Sequence, residues 1–146
     1  MEILERIGAF FNIVLGIASE PSSLAILFGS VLLGILFGAM PGLTSTLGVA
    51  LLTALTYSMD TPLAMVCLLA IYVGGTYGGS YASILINIPG TAAAAATAMD
   101  GYPLACKGEG GRAIGLTTTS SAIGTAVSML FVVSISPLIS KFALQF

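Results

Sequence analysis

The stretch LAILFGSVLLGILFGAMPGLT, residues 24–44, decides the fold. It carries no charge, is rich in Leu, Ile and Phe over Leu24–Met40, and is cut by Pro41-Gly42. Crossing a hydrocarbon core as a helix takes roughly 20 mainly apolar residues, so Leu24–Met40 reads as a span that stops at the Pro-Gly pair. Pro sets φ at the second position of a type II turn, and Gly accepts φ > 0 at the third. Thr44 or Ser45 can then cap a new helix, and Leu43–Ser58 resumes as an apolar stretch seeded with Thr and Ser.

Charge placement extends this reading to the rest of the chain. Hydrophobic residues make up 57% of the sequence and charged residues 7%, with a mean hydropathy of +1.08. A soluble domain carries about a quarter charged residues, so this chain lacks the polar surface to stay in water. No Asp, Glu, Lys or Arg occurs between Glu20 and Asp60, between Asp60 and Asp100, or between Arg112 and Lys141. The first two gaps each have room for nearly two passes and the third for one. The expected fold is an all-α integral membrane protein, a multi-span helical bundle with Pro-Gly-broken helices, discontinuous or re-entrant.

The chain divides into four parts of one membrane domain, 1–146. Segment 1–19 has Ile3, Leu4, Ile7, Phe10, Phe11, Val14 and Leu15 at helical spacing, the pattern of an interfacial amphipathic helix. Its Glu2, Glu5 and Arg6 do not make the basic leader of a signal peptide. Residues 22–99 hold broken apolar helices, with a restart at Asp60-Thr61-Pro62, where Asp60 or Thr61 caps and Pro62 fills the first turn. Residues 100–112 read as a polar loop, and 113–140 as a further span. The basic residues Lys107 and Arg112 place that loop in the cytoplasm by the positive-inside rule.

The second break, Ile88-Pro89-Gly90-Thr91, repeats the form of the first. Irregular backbone at membrane depth is tolerated only where protein buries it or a wet cavity meets it. Paired breaks are therefore the sequence form of a discontinuous-helix binding site. A helix N-terminus presents unpaired N–H groups and the positive end of its macrodipole, so it holds a carboxylate without Arg or Lys. The apolar runs contain neither cation. The candidate anion-binding residues are Pro41, Gly42, Leu43, Thr44, Ser45 and Thr46 at the first break, and Asn87, Pro89, Gly90 and Thr91 at the second. The competing reading is that both Pro-Gly pairs merely end helices at the membrane surface.

Glycines at i, i+4 spacing, Gly34 with Gly38, Gly74 with Gly78 and Gly75 with Gly79, are read as helix-packing positions. Asp60 and Asp100 end apolar runs and read as solvated positions, with ion coupling as the functional alternative. Histidine is absent, and Cys67 and Cys106 form no Cys-x-x-Cys pair, so neither a zinc site nor a disulfide framework is expected. No basic cluster supports nucleic-acid binding. An intramembrane serine peptidase would pair Ser with His or Lys, so no enzyme is expected.

The runs Gly34–Leu43, Tyr72–Ser80 and Ile84–Thr91, followed by Thr97–Ala105 with Lys107-Gly108 and Gly111-Arg112-Ala113, resemble the large membrane subunit of tripartite tricarboxylate transporters. They occur in the right order over nearly the whole chain, with Thr44 standing where the family pattern has glycine. The resemblance implies a multi-pass subunit of the bacterial inner membrane that imports organic carboxylates such as citrate by symport. It further implies a small membrane subunit and a periplasmic solute-binding protein as partners, Na+ or H+ as coupling ion, and no other cofactor. The substrate site it implies falls on the same two breaks. Family members are several times longer, so the chain is expected to be the N-terminal portion of such a subunit. The alternative is a truncated structural or assembly fragment without transport activity of its own.

Overall fold

The computed structural model describes residues 2–143. Six helices follow in order: α1 Glu2–Ser19, α2 Pro21–Ala39, α3 Ser45–Thr56, α4 Thr61–Ile86, α5 Ala94–Cys106 and α6 Gly110–Ala143. No strand occurs among the described residues, and the all-helical expectation holds. Three helices are long and apolar enough to cross a membrane, namely α2, α4 and α6 over Gly110–Ser136. The uncharged gaps expected to hold nearly two passes each hold one span and one short helix. The 12 residues of α3 and 13 of α5 rise only about 18–20 Å, short of a core about 30 Å thick.

α4 is the central element and packs on α2, α3, α5 and α6. The glycine spacing explains its closest contacts. A Cβ on Gly34 or Gly38 would overlap the main chain of Ile71 or Gly75, and one on Gly74 or Gly78 would overlap that of Val31 or Ile35. Helices in a bilayer gain from this close approach because lipid offers no hydrophobic force to drive them together. At the far end of the seam, buried Ser30 donates to Cys67 Sγ at 3.1 Å. Ile71 and Ile84 are fully enclosed, Ile71 below Gly48 of α3 and Ile84 below Gly101 of α5.

The first break is the expected type II turn. Leu43 N–H donates to Met40 O at 3.1 Å, and Gly42 has φ +90. The second break differs. Gly90 is not among the positive-φ residues; Asn87 takes the left-handed conformation instead, with φ 55. Asn87 ends α4, and both its own N–H and that of Ile88 reach back to Ala82 O. This is a Schellman-like termination, completed before the chain reaches Pro89. A β-branched residue cannot take this conformation cheaply, at about 1–2 kcal/mol. Asn87→Val should therefore lower the thermal unfolding midpoint in detergent, whereas Asn87→Gly should not.

The polar loop expected at 100–112 is corrected. Residues through Cys106 are helical, α6 starts at Gly110, and the connection is only Lys107-Gly108-Glu109, with Gly108 at φ +81. The run Ala94–Ala98 has the strongest helix former at four of five positions, and an exposed Asp100 is no obstacle to a helix surface. The span expected at 113–140 is part of the longer α6. α1 is the expected helix, touching α2 and α6 with Phe11, Val14 and Leu15 exposed. The side chains of Ile3, Leu4, Ile7 and Phe10 lie outside the described residues.

Candidate functional site at the paired helix breaks

Each short helix starts against one glycine of α4. Ser45, the first residue of α3, lies on Gly75, where a Cβ would overlap it. Thr91 lies on Gly79, with its Cγ2 and N 3.2 and 3.3 Å from the position of a Cβ. Gly75 and Gly79 are one turn apart, so the two helix starts are offset by about 6 Å along α4. Gly90 completes the junction, enclosed by Gly38 O and the Cα of Gly79. Both contacts fall inside the length of α4, about 16 and 10 Å short of its C-terminal end. The breaks follow the ends of α2 and α4, but the chain after each returns to a contact within the length of α4.

A cavity of about 360 Å³ opens between the two starts, lined by Thr44, Ser45 and Thr46, by Thr91, Ala92 and Ala93, and by Tyr72 and Thr76 of α4. Its donors follow from the capping. Thr44 Oγ1 accepts from Leu47 N at 3.2 Å, and Gly48 N donates to Thr44 O at 3.1 Å. That leaves the N–H groups of Ser45 and Thr46 without an intrahelical acceptor. At the second start Thr91 Oγ1 accepts from Ala94 N at 3.2 Å, and Ala95 N donates to Ala92 O at 3.3 Å. The N–H groups of Ala92 and Ala93 are the corresponding orphans. A hydroxyl that accepts at a cap keeps its own proton to donate, so Thr44 and Thr91 add two more donors.

No charged side chain borders the cavity. Each helix N-terminus carries about half a positive charge, and two of them together approach the charge of one carboxylate. Arg112 is engaged elsewhere, bonded to Glu109 at 2.8 Å on an exposed surface. Asp60 accepts Ala64 N–H on its main-chain oxygen at 2.9 Å and borders a separate cavity beside Glu20 and Ser23. Asp100 is exposed on α5. Neither Asp reaches the paired starts.

Residues 24–146 match the sequence profile of the Tripartite tricarboxylate transporter TctA family. The chain belongs to the TctA family. It is also 36% identical, over its whole length, to a protein of Agrobacterium vitis described as an uncharacterized 52.8 kDa protein in the TAR-I ttuC' 3' region. The chain spans 28% of the length of that relative. No solved structure matches it.

This TctA-family chain is a multi-pass membrane protein, and its family is one of transporters. Of the residues expected from sequence, Thr44, Ser45, Thr46 and Thr91 line the cavity. Pro41, Gly42 and Leu43 form the turn before it, and Gly90 packs against Gly38 and Gly79 beside Thr91. Asn87 and Pro89 are exposed and shape the second break from outside the lining. Tyr72 and Thr76 were missed. Their signal is the i, i+4 hydroxyl pair flanking Gly75, which reads as glycine-seam decoration until Gly75 and Gly79 are seen to receive the helix starts.

Proposed function

We propose that the paired starts of α3 and α5 bind a carboxylate of the substrate of a secondary transporter. The single observation that carries this reading is the cavity in which two helix N-termini meet with no cationic side chain. Four orphan N–H groups and the hydroxyls of Thr44 and Thr91 suit a carboxylate's acceptor oxygens, and membership of the TctA family supports organic acids as the cargo. The substrates in this reading are tricarboxylates such as citrate, or other organic carboxylates. Import is by symport across the bacterial inner membrane, driven by a Na+ or H+ gradient, with a small membrane subunit and a periplasmic solute-binding protein. Asp60 and Asp100, lying away from the cavity, are weaker candidates for ion coupling than for surface positions. Lys107 and Arg112 orient the α5–α6 connection toward the cytoplasm.

The test is uptake of labelled di- and tricarboxylates by cells lacking endogenous carriers, with the chain co-expressed with its neighbouring genes. Ser45→Pro is the informative variant. Pro is accepted at the first helical position, and Thr44 already has the extended conformation, φ −111 and ψ 156, that a residue before Pro requires. The substitution removes one N–H and one hydroxyl from the cavity while preserving the helix. The expected result is wild-type uptake and a KM raised at least tenfold, since a hydrogen bond to a charged group contributes about 1.5–3 kcal/mol. Unchanged uptake by Ser45→Pro would overturn the assignment of the site. Absence of any uptake by correctly inserted wild-type protein would leave the fragment reading.

A further inference from the structure

Ser45 carries a hydroxyl that the helix cap does not use. The residue is 5% exposed, yet its Oγ makes no hydrogen bond, whereas Thr44 and Thr91 accept at the helix starts. Every fully enclosed side-chain N or O among the described residues has a partner. Ser45 Oγ therefore opens onto space, and Ser45 lines the cavity between the starts of α3 and α5. A buried hydroxyl left unpaired at a cavity has a donor to give to a bound group.

The charge around that cavity is small and fixed. α2, α3 and α4 contain no Asp, Glu, Lys or Arg. On α5, Asp100 is exposed, lies about 9 Å along the axis from Ala94, and as an anion neutralises no carboxylate. Tyr72 is the one ionisable side chain in the lining. The two helix starts together offset about one negative charge. A second ionised carboxylate in the same cavity would be buried without a partner, and a group so placed takes up a proton instead. The α4 wall accommodates the protonated form. Thr76 gives its own proton to Tyr72 O at 2.9 Å and keeps lone pairs that accept from a carboxyl O–H.

We infer that the cavity holds one ionised carboxylate and that a second carboxyl group of the same ligand enters it protonated. A small dicarboxylic acid is then bound in its singly charged form. The proton that comes with it rides on the ligand, because no lining side chain is a carboxylate or a histidine. This inference rests on the carboxylate reading of the cavity and specifies the charge state that it takes.

The experiment is equilibrium binding of succinate and of its monoamide, succinamate, to the purified chain in detergent, across the pH range of succinate's second ionisation. The amide matches a protonated carboxyl in size, keeps a donor, and cannot ionise. Affinity for succinamate should stay constant. Affinity for succinate should fall about tenfold per pH unit above its second pKa, in step with the fraction of the singly charged form. Tyr72→Phe should leave that slope in place, since the slope belongs to the ligand. Ser45→Ala keeps its Cβ against Gly75 and the Thr44 cap. It should weaken both ligands about tenfold, the effect of one lost hydrogen bond to a charged group. Succinate affinity that holds constant through the second ionisation, with the Ser45→Ala loss still present, overturns the inference and leaves the carboxylate site standing. A slope that Tyr72→Phe abolishes does the same, by placing the proton on the protein. Binding of neither acid, or binding indifferent to Ser45→Ala, overturns both.

Discussion

Gly38→Leu should abolish transport and separate α2 from α4. Any Cβ at this position meets the main chain of Gly75, not the movable end of a side chain. Inserting extra atoms into packed interiors costs about 1–3 kcal/mol even where side chains can yield, and here only helix displacement relieves the overlap. Gly75 cannot move alone, because Ser45 occupies its other side. The seam supplies its own reporter. Ser30 lies 3.1 Å from Cys67 Sγ, so Ser30→Cys should cross-link to Cys67 under mild oxidation. Adding Gly38→Leu should suppress that cross-link and lower the unfolding midpoint in detergent. Gly29→Ala is the control, since a Cβ there meets nothing within 4 Å. An undiminished cross-link in the Gly38→Leu protein would refute the seam as the device that positions the site.

The second large effect concerns the caps. Replacing Thr44 and Thr91 together by Val should raise KM for carboxylate about a hundredfold and leave the protein folded. Each substitution removes a side-chain acceptor at a helix start, costing about 1 kcal/mol of helix stability, and removes one donor from the cavity. The Val side chain keeps the volume, so the contact with Gly79 survives. The double Ser variant, which keeps both hydroxyls, should return KM to near the wild-type value. Uptake kinetics with a fixed membrane content of protein measure both. A double Val variant with wild-type KM would mean that the caps serve only the helices.

These expectations draw on features that were unequally legible in the sequence. Pro41-Gly42 was readable because a type II turn depends on two adjacent residues, and Thr44 as a cap depends on position alone. The second Pro-Gly pair misled because Asn87 reached the left-handed conformation first and ended α4 two residues before Pro89. Residues 100–106 read as loop because Asp100 and the charged Lys107, Glu109 and Arg112 end the apolar run. The five-residue stretch before them, mostly alanine, carries the helix onward. The cavity itself was half legible. Thr44, Ser45, Thr46 and Thr91 follow from the breaks, but Tyr72 and Thr76 enter only through tertiary contact. The close approach of Ser45 to Gly75 and of Thr91 to Gly79 joins residues far apart in sequence, and no local pattern encodes that pairing.

The same approach has a mechanical side. Both helix starts rest on one continuous helix, a single turn apart, by contacts that involve main chain on α4. Residues 45 and 91 are therefore fastened to one rigid rod, and their separation cannot change without bending it. Any hinge has to lie outside the junction of the two breaks. α6, largely exposed and in contact with α4, α5 and α1, is not held by main-chain approaches of this kind: a Cβ on Gly111, Gly115 or Gly124 meets nothing within 4 Å. The rod and its two short helices form a single block.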